Sequence, residues 1–254
     1  MLRFVIPAVL IFTAPQLAAA ASLSHQLSGK RLELHLACPA EVEIQPRADL
    51  ADTVEVEAHS DSHDAIDGLT FSGGDTATLE NGRHCHFRDD DHVLGLTIHV
   101  PPGMPIDIDA ILAGTYKIGA VGGPLKVKLA GAAEIHAEQL SSLDLDSAGA
   151  AEIRVDRLDG PATAVMKGGG SITIGDGRIT SLNVDSRGAG EITVKAGEIG
   201  TLDLSLAGAG DATIHAIVQD ATLTISGIGN IEVKRVTGTV HREIHGIGNI
   251  DIGS

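Results

Sequence analysis

From residue 32 onward the chain alternates apolar and polar residues in short runs. Leu32, Leu34 and Leu36, then Val42 and Ile44, stand apart from Glu33, His35, Glu41 and Glu43. Alternation with a period of two predicts half-buried strands. The pattern returns over residues 53–58, Leu94–Val100 and Ile106–Ala110, and then runs on to the end of the chain. Residues 59–92 are less regular, and nothing after the first twenty or so residues shows helical spacing with caps.

From residue 131 a second, longer period lies over the first. Gly131, Gly149, Gly168, Gly188, Gly208, Gly227 and Gly246 are 18, 19, 20, 20, 19 and 19 residues apart. The last two open identical segments, Gly-Ile-Gly-Asn-Ile at 227–231 and 246–250. A fixed period near twenty predicts a solenoid. Aligned on the glycines, apolar residues fall into columns. Val127, Leu145, Val184, Leu204 and Leu223 stand four before the glycine. Ile135, Ile153, Ile172, Ile192, Ala212, Ile231 and Ile250 stand four after it, and Ala137, Val155, Ile174, Val194, Ile214, Val233 and Ile252 six after. Stacked coils would bury these columns as aliphatic ladders, because parallel strands repeat every ~4.8 Å along the axis. The glycines mark corners where a Cβ is costly or φ is positive.

An antiparallel sandwich needs neither the period nor the recurring turn. The pattern therefore predicts an all-β, single-stranded, right-handed parallel β-helix of about nine or ten rungs, the hand being the default for parallel connections. Residues 32–46 match 125–135 in pattern, with Cys38 where the repeat glycine would stand, and read as a first rung. No proline follows Pro161, which suits unbroken ladder bonding. The expected organisation is a secretory signal peptide at 1–21 and one β-helix domain at 22–254. Its rungs are irregular over 22–95 and regular over 96–254.

The signal peptide rests on Arg3, a short apolar run from Phe4 and the alanines before Ser22, with cleavage after Ala20 or Ala21. The run is too short, and too interrupted by Pro7 and Pro15, to span a bilayer. The expected location is periplasmic or secreted. In an exported chain two cysteines, Cys38 and Cys85, predict one disulfide. Composition excludes some partners. With 34 acidic against 18 basic side chains, the chain is unsuited to nucleic acid and anionic membranes. After signal removal only Phe71, Phe87 and Tyr116 are aromatic, which weakens sugar-cleft and protein hot-spot readings.

Two groups of residues offer candidate chemistry. One is the column after each turn: Glu134, Glu152, Ser171, Glu191, Asp211, Asn230 and Asn249. It reads as a solvated turn column, with a weak divalent-cation stripe as the alternative. The other is His84, His86 and His92 beside Asp89, Asp90 and Asp91, with His59 and His63 nearby. Imidazoles on one strand face suit zinc, copper or nickel, and an exposed histidine loop without a role is the plainer reading. Enzyme signals are poor. Gly168-Gly169-Gly170-Ser171 lacks the closing glycine of a nucleophile elbow, and no phosphate loop is present. Asp144 with Asp146, or Asp185 with Arg187, could imitate the face of a polysaccharide-processing β-helix, but equally well make a soluble outer face.

The Gly-Ile-Gly-Asn-Ile copies, the Gly-Ala-Gly-Asp/Glu variants before them and Val100-Pro101-Pro102-Gly103 carry a resemblance. The chain resembles the head GIN domain family, bacterial exported proteins described as auto-transporter adhesins. The resemblance implies a β-solenoid with an adhesive role and brings no catalytic residues and no cofactor. The expectation is thus a non-enzymatic protein that meets an unknown protein or glycan ligand at the cell envelope, with a periplasmic metal-binding protein or a polysaccharide-processing enzyme as alternatives. The last rung has no evident cap, which predicts self-association through an open edge.

Overall fold

A computed structural model describes residues 21–82 and 93–253. The described residues form twenty strands and one short helix. These are β1 (Ala21–Ser28), β2 (Leu32–Leu36), β3 (Ala40–Pro46), β4 (Thr53–Ser60), α1 (His63–Asp67), β5 (Leu69–Ser72), β6 (Ala77–Asn81) and β7 (Leu94–Val100). There follow β8 (Ile106–Ala110), β9 (Gly114–Ile118), β10 (Pro124–Leu129), β11 (Ala132–Leu140), β12 (Ser142–Ser147), β13 (Ala150–Met166) and β14 (Gly169–Ser186). The last are β15 (Ala189–Val194), β16 (Glu198–Leu206), β17 (Ala209–Ile225), β18 (Ile228–Val236), β19 (Val240–Ile244) and β20 (Ile247–Ile252).

They build a β-solenoid with rungs of about 19 residues, dominated by parallel pairing. Two parallel faces enclose the core. The first stacks β2, β8, β10 and β12, then the later halves of β13 and β14, then β16, the later half of β17, and β19. The second stacks β3, β9 and β11, the early halves of β13 and β14, then β15, the early half of β17, β18 and β20. The columns expected from the repeats are real registers. Val127 pairs Leu145, and Ile153 pairs Ile172, which pairs Ile192. All five are at most 2% exposed, so each contributes about 1.5–3 kcal/mol of burial. A short third side closes each later coil through Leu140, Leu158, Ile179, Ile199 and Val218, all buried.

The corners explain the glycines. None of the seven has a φ in the left-handed region. Instead the carbonyls of Gly131, Gly168, Gly188, Gly208 and Gly227 point up the stack, where each accepts an amide of the next coil, as Gly168 does from Ala189 at 3.2 Å. A Cβ on the next glycine would overlap that same oxygen, from Gly149 over Gly131 through to Gly246 over Gly227. Of the two reasons given for glycine at these corners, close approach of backbone is the operative one.

The N-terminal part departs from a simple continuation. Residues 32–46 are indeed a rung, because β2 and β3 pair β8 and β9 in register. The next rung in sequence, β6 with β7, does not lie between them. It stacks on the far side of β2 and β3. Beyond it β4 runs antiparallel to β7, β1 antiparallel to β4, and β5 antiparallel to β6. These strands cover the parallel edge at that end of the stack. The helix α1, unexpected from spacing, is a five-residue turn with one buried residue, Ile66.

Candidate interaction surface

Registers place the predicted polar column on the outer side of the second face. Thr115, Glu134, Glu152, Ser171, Glu191 and Asp211 are successive partners, and Asn230 pairs Asn249. Two shallow grooves lie along this column. One, of about 560 Å³, runs past Thr115, Ala132, Glu134, Ala150, Glu152 and Ser171. The other, of about 610 Å³, runs past Glu191, Asp211, Thr213, Asn230 and Glu232.

The two halves of the column behave differently. Glu134 stands directly over Glu152, and Glu191 over Asp211, so like charges repeat at the rung spacing. At the far end the side chains bond the stack instead. Asp211 Oδ1 accepts the Asn230 backbone N–H at 2.8 Å and its Nδ2 at 3.1 Å. Asn230 Oδ1 in turn accepts the Asn249 N–H at 3.2 Å. The same device recurs off the column, where Asp159 accepts the Arg178 N–H at 3.1 Å and Asp220 the Thr239 N–H at 2.8 Å. Bonds from the Arg157 side chain and then the Arg178 amide hold Asp159 below the ordinary carboxylate range, and Thr239 does the same for Asp220. Sequence reasoning missed these two, since neither lies in a glycine-aligned column.

Beside the acidic column runs a shorter basic one, with Lys117, His136 and Arg154 in register. His136 Nε2 lies 2.9 Å from Asp156 Oδ2, and Arg154 Nε 3.1 Å from its Oδ1. The His136 bond is the main reason the Asp156 carboxyl titrates lower than usual. On the first face Lys126 lies between Asp107 and Asp144, and Lys128 between Asp109 and Asp146. The carboxylates considered for polysaccharide chemistry are engaged in ion pairs: Asp144 with Lys126 at 3.6 Å, Asp146 with Lys167 at 3.0 Å and Asp185 with Arg187 at 2.6 Å.

His84, Cys85, His86 and His92 lie outside the described residues. So does the signal segment up to residue 20. Of the two accessory histidines, His59 lies against Gly95 across the β4–β7 pair, and His63 begins α1. They do not form a cluster, and among the described residues no three His, Cys, Asp or Glu side chains are placed to hold a metal ion. Cys38 occupies the corner where later coils carry glycine. Asn81, almost fully buried, clamps it there: its Oδ1 accepts the N–H groups of Ala37 at 2.6 Å and Cys38 at 3.0 Å, and its Nδ2 donates to the Cys38 carbonyl at 3.0 Å. Cys38 Sγ lies 3.0 Å from the Gly82 carbonyl oxygen.

A narrow aliphatic stack with a long polar outer face and open grooves defines the class: a β-solenoid. The family follows from the repeats. The family described as "Putative auto-transporter adhesin, head GIN domain" matches residues 126–253, half of the chain, and the chain belongs to it. Solved structures agree on the fold. A "putative adhesin" from Parabacteroides distasonis ATCC 8503 is similar with a TM-score of 0.61 at 17% identity, over 92% of this chain and 98% of that one. A "putative lipid binding protein" from the same organism gives 0.56 at 16%, over 92% and 97%. A "putative adhesin" from Bacteroides fragilis NCTC 9343 gives 0.50 at 13%, over 92% and 98%. No curated protein matches the chain. No helix among the described residues is long and apolar enough to cross a membrane.

Proposed function

We propose that this chain is an exported, non-enzymatic surface-interaction protein of the cell envelope. Its outer second face binds an unidentified protein or glycan ligand. The observation that carries the reading is the alignment of two open grooves on one rigid column of polar side chains, at a spacing set by backbone pairing. Such a surface offers no enclosed site for chemistry, and it repeats, so many weak polar contacts add through multivalency. Family membership supports an adhesin-like role. The export part of the proposal has the signal peptide removed after residue 20 or 21, and a Cys38–Cys85 disulfide formed in the oxidising compartment. The clamped Cys38 corner beside Gly82 supports that pairing, since Cys85 follows three residues later.

The test is a glycan and matrix-protein array probed with the purified mature chain and with a Glu134→Ala/Glu152→Ala/Glu191→Ala variant. The reading expects specific hits that the triple variant loses. An array without hits, or hits that the variant keeps, overturns the placement on this face.

A further inference from the structure

Tyr116 is the chain's one tyrosine and the largest of the fully buried side chains. It stands on the inward row of β9 at 1% exposure, between Val42 and Ile135. Its ring folds back along the strand. The hydroxyl oxygen, Cε2 and Cζ lie 2.8, 2.9 and 3.0 Å from where a Cβ on Gly114 would be. Gly114 takes the place that Ala40 and Ala133 hold in the coils on either side. The missing methyl leaves room for the hydroxyl, and Gly114 lines the groove of about 560 Å³. Among the described residues no hydrogen bond engages that hydroxyl. Nor is it sealed from water, because Ser147 Oγ is the one described side-chain atom that is both sealed and unpartnered. The phenol thus brings an unpartnered polar group to the groove. A phenylalanine would pack the same ring and leave no hydroxyl unsatisfied.

The rest of the groove defines what would satisfy it. Thr115 sits in register between Glu41 and Glu134, and Glu152 follows. All three carboxylates are exposed, and among the described residues none has an ion pair or a side-chain hydrogen bond. Beside them Val93, Ala113, Ala132 and Ala150 make an apolar wall. Among the described residues no aromatic face lines the groove, which disfavours a sugar ring.

We infer that this groove receives the lysine side chain of a protein ligand. The alkyl stem lies along the apolar wall. The ammonium carries three donors. The carboxylates of Glu41 and Glu134 and the hydroxyl oxygen of Tyr116 accept them, in bonds strengthened by charge. The inference rests on the reading of the second face as a binding surface, and names the chemistry that one of its grooves takes.

The experiment uses the full mature chain and a capped peptide of serines and glycines around one lysine. With one tyrosine and no tryptophan in the chain, tyrosine emission reports on this hydroxyl alone. The peptide should change that emission saturably, and the same peptide acetylated on its lysine should not. By fluorescence anisotropy of the labelled peptide, Tyr116→Phe and Glu134→Gln should each bind about fivefold more weakly. Glu191→Gln, in the other groove, should bind as wild type does. Unchanged emission, equal binding of the acetylated peptide, or wild-type affinity in Tyr116→Phe overturns the proposal. Tighter binding of 1,5-diaminopentane or of a chitosan oligomer than of the peptide overturns the choice of a protein ligand. Array ligands that need Glu134 but bind unchanged after acetylation of their lysines would remove this inference and leave the binding surface in place.

Discussion

Three successive glycines, Gly168, Gly169 and Gly170, make the corner argument quantitative. A Cβ on Gly168 would overlap the Gly149 carbonyl oxygen and lie 2.7 Å from its carbon and 3.0 Å from the Ala148 oxygen. A Cβ on Gly170 would overlap the Ala151 carbonyl, and its φ of 137° is strained for any L side chain. A Cβ on Gly169 would meet nothing nearer than the Ala189 oxygen at 3.4 Å, an ordinary contact. Gly169 also pairs with alanine on both sides, Ala150 and Ala189. Relieving the Gly168 overlap requires the two coils to part locally. That lengthens the Lys167 to Ser147 bond, now 2.8 Å, and the first bonds of the β13–β14 ladder. Overpacking of about 1–3 kcal/mol plus one or two bonds at about 1 kcal/mol each gives about 2–5 kcal/mol for Gly168→Ala. Gly169→Ala should instead stabilise by about 0.4–1 kcal/mol, because it restricts the unfolded chain without straining the folded one. Urea unfolding followed by far-ultraviolet circular dichroism separates these outcomes. Equal midpoints for Gly168→Ala and Gly169→Ala would refute the close-approach account of the corner column.

Other predictions concern single groups. Burial pushes the Tyr116 hydroxyl up to about 12, between Val42 and Ile135. The unfolded chain then releases that proton first, near pH 10, so stability should fall by about 1.4 kcal/mol per pH unit between 10 and 12. Absorbance at the phenolate band should rise only with unfolding, and Tyr116→Phe should flatten the alkaline slope. Asp220, Asp159 and Asp156 titrate lower than usual in the folded chain, so their contribution is complete above the ordinary carboxylate range and is lost as pH falls through the lower folded values. Asp220→Asn should keep an acceptor for Thr239, as Asn230 does for Asn249, and leave the melting temperature near wild type at neutral pH, whereas Asp220→Ala should lower it. The mature chain should titrate no thiol in denaturant, and Cys38→Ser should lower stability by about 4 kcal/mol in the chain-entropy view; a titratable thiol pair in the oxidised protein would remove the disulfide.

How much of this was legible in the sequence depends on whether a feature repeats. The inward columns from Val127 to Leu223 and from Ile135 to Ile250 were readable because each coil presents the same residue type at the same offset. The polar column was readable for the same reason. The N-terminal layers were not. Placing β6 and β7 outside 32–46 depends on long-range pairings such as Leu34 with Leu79 and Val42 with Leu96, which carry no period. The antiparallel β1, β4 and β5 alternate like any half-buried strand, so their direction is silent in composition. Asp159 and Asp220 act near irregular registers, one beside the shift between Gly160 and Ala162, where a shared offset no longer exists. Pro161 sits inside that shift, where a missing donor is tolerated. The charge of Arg242 gives no sign of its row, and only its register with Leu223 places it on the inward one.

Everything here depends on coils stacked in register. Double electron–electron resonance between spin labels tests that directly, with one label at Glu134 and the second at Glu191 or Asn249, all exposed positions of the polar column. Three rung steps to Glu191 and six to Asn249, at about 4.8 Å each, predict backbone separations of about 14 Å and about 29 Å. Distances that double in this way confirm the stack. Separations that do not grow with the number of coils would contradict it.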